Sequence, residues 1–104
     1  MIREHLEELA RVLSDEGEAG LALGVRSVLA GDDDRVNAFL TSNSLWGGMG
    51  SIADQAGMER GRVSRRRIES VLILLGREQM RAGRVNVRTA MWVEVFEKWQ
   101  REGV

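Results

Sequence analysis

Apolar residues recur along this chain at three- and four-residue spacing, the period of a helix with one buried face. Ile2, Leu6, Leu9 and Leu13 form the first such stripe, leaving Arg3, Glu4, Glu7, Glu8 and Arg11 for water, and predict a helix that ends before Gly17. Leu21, Val25, Val28 and Leu29 predict a second, stopped at Gly31. Asp32, Asp33 and Asp34 suit the positive end of a third, which carries Val36, Phe39 and Leu40.

The period then breaks. Between Thr41 and Gly50 stand three glycines within four residues and a run of small polar groups, a composition that predicts a loop. Ser51 with Asp54 three residues later has capping-box spacing, and predicts a short helix reaching to about Gly57. The longest helical pattern runs from Ser64 to Ala82. It points Ile68, Val71, Leu72, Leu75 and Gln79 or Met80 inward, Arg65, Arg66, Glu69, Arg77 and Arg81 outward, and stops at Gly83. Gly76 inside it costs about 1 kcal/mol relative to alanine unless a neighbour packs close. A brief extended piece is expected at 85–87, and then a last helix capped by Thr89 with Trp92, Val95, Phe96 and Trp99 on one face. The whole reads as all-α: a compact bundle of about five helices with a Gly-rich central loop, in one domain over residues 1–104.

Composition sharpens the exclusions. With 104 residues, 43% hydrophobic and 30% charged, the chain supports one core and does not carry the signature of disorder. Without cysteine there is no disulfide framework, thiolate zinc site or cysteine nucleophile, which favours a reducing cytoplasm. No run approaches the roughly 20 apolar residues of a membrane span, and the charged start does not resemble a secretory signal. Net charge is −1, but residues 1–34 hold 9 acidic and 3 basic side chains, while 61–104 hold 5 and 10. Such sorting either lets acidic and basic helices neutralise each other in the fold or leaves a charged face for a partner.

Candidate chemistry is sparse. His5 has no second histidine or cysteine to share a metal, and Asp32 to Asp34 lack the spacing of a calcium loop. Gly47, Gly48 and Gly50 are not followed by the lysine of a phosphate loop. Asp54 with Glu59 or Glu69 is the only acid–base pairing to consider, so no catalytic residue, cofactor or metal is expected.

Two resemblances add to this reading. Ile52-Ala-Asp-Gln-Ala-Gly-Met58, followed by Glu-Arg-Gly-Arg-Val-Ser-Arg65, resembles the helix-turn-helix of the lactose-repressor family, with Ala53 in the first helix, Gly57 at the turn and Val63-Ser64-Arg65 opening the second. That likeness implies Arg62, Ser64, Arg65 and Arg66 as contacts to DNA and salt-dependent binding. The segments Ser42 to Asp54 and Gly83 to Trp92 are similar to those of a group of small uncharacterised bacterial helical proteins. This second likeness implies a shared domain without an attached activity, and draws attention to Trp46, Trp92 and the polar cluster Asn43, Asp54, Asn86 and Arg88.

By elimination the sequence favours a protein-binding module, most concretely an immunity- or antitoxin-like inhibitor. Its acids Glu4, Glu7, Glu8, Asp15, Glu16 and Asp32 to Asp34 would meet a basic partner such as a toxin, with Trp46 as aromatic anchor. Three arrangements separate the readings. An exposed Trp46 beside the acids favours protein binding. A buried Trp46 with Arg62, Arg65 and Arg66 in one open patch favours nucleic acid. A cleft joining Asn43, Asp54, Asn86 and Arg88 favours a small ligand or an enzyme.

Overall fold

A computed structural model describes residues 2–104. Its elements, in chain order, are α1 (Ile2–Asp15), α2 (Ala19–Leu29), α3 (Asp33–Thr41), α4 (Asn43–Trp46), α5 (Ile52–Gln55), α6 (Arg62–Ala82) and α7 (Thr89–Glu102), with no strand among the described residues. The all-α expectation holds: α5 is the short helix expected after Ser51, and α4 is a single turn inside the stretch expected to be loop.

The first stripe buries Leu6, Leu9 and Leu13, together with Ala10 and Val12. A turn at Gly17, whose φ of +88° suits a residue without a side chain, folds α2 back against α1. Asp32 caps α3 by accepting from the Arg35 N–H at 2.9 Å. Helix α6 packs on α1 with one flank and on α7 with another, so the long helices run in the order α2, α1, α6, α7. At 21 residues α6 is about 31 Å long, most of the 37 Å long axis. Helices α3, α4 and α5 follow α2 in contact one after another, and α4 reaches α6 through Trp46.

Trp46 is the largest fully buried side chain, and the core closes around it. A Cβ on Gly76 would lie 2.4 Å from Val93 Cγ2 and 3.3 Å from the Trp46 ring, which is the close neighbour that a glycine inside α6 demands. On α7, Phe96 is buried between Trp92 and Trp99, with ring centroids at 5.3 and 5.9 Å.

Five local expectations are corrected. The stretch 41–50 is not all loop: Ser42 accepts from the Ser44 N–H and starts the single turn α4, which carries Trp46 inward. The last helix buries Val93 rather than Val95, because Val93 faces Gly76. Thr89 does not cap α7: Arg88 holds the cap position, and Thr89 Oγ1 accepts instead from the Asn86 N–H at 2.9 Å. Residues 84–86 are irregular and 87–88 a turn, not an extended piece. Glu69 does not face water; it is 2% exposed on the flank of α6 that also carries Gly76 and Gln79.

Candidate functional site

The densest long-range polar network ties the glycine loop to the segment that joins α6 and α7. Gly47 is buried, and a Cβ there would sit 2.3 Å from the Asn43 carbonyl, so only glycine closes the turn. Its own carbonyl accepts two side-chain donors, Ser51 Oγ at 2.9 Å and Trp92 Nε1 at 3.2 Å. Ser51 Oγ also accepts from the Asp54 N–H at 3.1 Å, the capping bond expected from spacing. Asp54 Oδ2 in turn accepts from the Gly50 N–H at 3.0 Å and so clamps the far side of the loop.

Two buried amides hold the loop to the body. Gln79 accepts from Trp46 Nε1 at 2.8 Å and donates to the carbonyls of Leu40 and Arg84 at 3.1 and 2.9 Å. Asn86 donates to the Thr41 carbonyl and to Asn43 Oδ1, and its own Oδ1 accepts from the Arg88 N–H at 2.9 Å. Each amide thus reaches across more than 30 residues of sequence, as buried polar groups require partners.

Of the sequence-derived polar cluster, Asn43, Asn86 and Arg88 meet at this junction, with the Arg88 guanidinium over Gly48. Asp54 clamps Gly50 instead, and its accessible surface belongs to a shallow depression of about 490 Å³ shared with Glu18, Gln55, Met58 and Glu59. Glu69 is not part of that depression. Among the described residues, no group of three or more His, Cys, Asp or Glu is arranged to hold a metal.

What the frame presents outward is apolar. Met49, between Gly48 and Gly50, is 100% exposed, Val87 beside Arg88 is 95% exposed, and Met91 one turn into α7 is 48% exposed. Sequence reasoning missed this corner and chose Trp46, which lies fully buried with its indole N–H satisfied by Gln79 and cannot anchor a partner. A methionine flanked by glycines was the available signal, since no neighbouring side chain could shield it.

Most of the proposed acids are occupied internally. Asp33 accepts from Arg3, Glu8 and Asp15 from Arg11, and Glu16 pairs with Arg67 at 2.7 Å. The hydrogen bond from Arg11 holds the Glu8 carboxyl below the ordinary carboxylate range. Asp32 is the α3 cap, while Glu4, Glu7 and Asp34 stand on exposed surface.

The arginines proposed for DNA are also engaged. Arg62 donates to the Gly103 carbonyl and Arg66 to that of Gln100, satisfying the last carbonyls of α7, where helix polarity also favours cations. Arg65 lies 5.6 Å from the Trp99 ring centroid and 3.3 Å from Glu69, and Ser64 is half-buried in the first turn. The two helices of the motif are a single turn, α5, and the long α6, joined by residues 56–61. Gly57, at φ +77°, brings that connection against the Arg65 backbone.

Compared with protein-family models, curated proteins and solved structures, the chain matches none.

Proposed function

We propose that the chain is a protein-binding module, in its most concrete form an immunity- or antitoxin-like inhibitor acting in a reducing cytoplasm. The observation that supports this reading is the corner formed by Met49, Val87 and Met91 around Arg88. Burying the exposed methionine and valine side chains against a partner frees the water they order, and a frame already fixed by Ser51, Gln79, Asn86 and Trp92 leaves little loop entropy to lose on docking. Methionine and arginine are also enriched at protein interfaces. The outer ridge of α1, with Glu7 and Glu8, adds an acidic field that would steer a basic partner without making the central contact.

The experiment is affinity purification of the tagged full chain from its host, with and without nuclease. A stoichiometric protein that survives nuclease, and is lost with Met49→Asp plus Val87→Asp while the helical spectrum is kept, is the expected result. Nucleic acid recovered without protein would overturn the reading in favour of the helix-turn-helix. Bare protein would overturn it in favour of a small ligand.

A further inference from the structure

We infer that the crevice between α6 and α7 is a second interaction surface, built to receive an acidic amphipathic helix of a partner protein. The crevice has a volume of about 660 Å³ and continues, through Arg66, Ser70 and Gln100, into a depression of about 370 Å³ beside Val63. Along α6 it runs from Val63 to Arg77, about 21 Å at the helical rise, enough for roughly four turns of a third helix.

Its floor and rim differ in chemistry. Ile73 forms the floor, while Leu74 is 50% and Val63 75% exposed on a flank of α6 that otherwise carries polar side chains. Arg66, Arg67, Arg77 and Arg101 line the rim against a single acid, Glu97. Glu97 pairs with Arg77, Glu16 pairs with Arg67 and the Glu69 carboxyl lies near Arg66, which leaves Arg101 without an ion-pair partner among the described residues. The surplus is therefore positive, and an acidic helix would complement it while its apolar stripe covered Leu74 and Val63.

Two other occupants fit less well. A nucleic-acid backbone would meet the arginines but leave the apolar pair wet. The acidic ridge of α1 on a second copy matches in charge and length, yet its outward residues, among them Glu4, Glu7, Arg11 and Ser14, include no apolar side chain to cover Leu74.

The test places the photo-crosslinking residue benzoylphenylalanine at Ser70, which is exposed at the middle of the crevice, in the full chain in host cells. The crosslinked peptide is then identified by mass spectrometry. The expected product is an acidic helical segment of another protein, reduced at least tenfold by Leu74→Glu with Arg101→Glu in a chain whose melting temperature is retained. Crosslinks to nucleic acid, to the chain's own peptides or to a segment without acidic residues would overturn the inference, as would no crosslink at all. Loss with Met49→Asp alone and none with the crevice pair would assign the binding to the glycine-loop corner and equally overturn it. The two proposals thus fail separately.

Discussion

Gly76 and Glu69 stand on the same flank of α6 and answer to opposite constraints. At Gly76 there is no room: Val93 is a stiff, buried side chain, so Gly76→Ala is expected to lower stability by about 1–3 kcal/mol, despite the better helix propensity of alanine. Gly20 and Gly24 of α2 have open space where a Cβ would stand, and alanine at either should raise stability by about 1 kcal/mol. Denaturant unfolding of the three variants checks both directions at once. Glu69 is only half satisfied: its Oε2 faces Arg65 Nε at 3.3 Å, but Oε1 makes no hydrogen bond among the described residues, and burial raises its pKa above the usual 4.5 despite the nearby Arg65 and Arg66. A carboxyl with a raised folded pKa binds its proton more tightly in the native state. Its contribution is fully present below about pH 4.5 and is lost as pH rises through the folded value. Glu69→Gln is therefore expected to add about 1 kcal/mol at pH 7, the scale of one orphaned buried polar group, and to flatten the fall in stability above pH 4.5. Parallel melts of both proteins across that range decide it, and an unchanged slope would assign the pH dependence elsewhere.

Among elements, the joints matter more than the helices. The periodicity of apolar positions located α1, α2, α3, α6 and α7 to within about two residues, because burial of one stripe is a local demand of the sequence. It offered Gln79 or Met80 for the inner side of α6; the fold buries Gln79, whose task the pattern did not reveal. That task is to satisfy Trp46 Nε1 and the carbonyls of Leu40 and Arg84 at once, three groups from three separate segments. Gln79→Met keeps the volume and removes all three bonds, so a loss of about 3 kcal/mol is expected, measured as a shift in denaturation midpoint. Asn86→Ala is expected to act more locally. It unties Thr41 and Asn43, and amide hydrogen exchange at Gly48 to Gly50 should speed up while the α6 core stays protected. Equal acceleration in α6 would mean that Asn86 supports the whole core instead of the loop.

At the scale of the molecule, the sorted charge is spent partly inside and partly outside. Arg67 with Glu16, Arg60 with Glu18 and Arg3 with Asp33 join the acidic N-terminal third to basic residues elsewhere or to its own. Each of these pairs has at least one side chain 40% or more exposed, so each contributes at most about 1 kcal/mol. Raising salt from about 0.05 to 0.5 M should therefore change folding stability by less than about 1 kcal/mol, whereas a partner held by Arg66 and Arg101 should dissociate faster over the same range. Unfolding curves and association kinetics at the two salt levels separate these effects. The radius of gyration, 12.5 Å, agrees with the roughly 13 Å of a 100-residue globule, so the charge sorting does not expand the fold.

The sequence by itself determined the all-α class, the five longer helices, the stops at Gly17 and Gly83 and the caps at Asp32 and Ser51. All of these follow from bonds and stripes within a few residues of chain. It also brought Asn43, Asn86 and Arg88 into consideration, which the fold does join. Tertiary structure alone decided that Trp46 lies inside and Met49 outside, because the single turn of α4 aims the indole at Gly76 and Gln79 and leaves the next free side chain in water. It likewise turned Glu69 inward, and turned Arg62 and Arg66 toward the end of α7. Whether a polar side chain faces water or a distant carbonyl depends on which segments pack beside it. That choice is made by contacts more than 30 residues apart, beyond the reach of any local period.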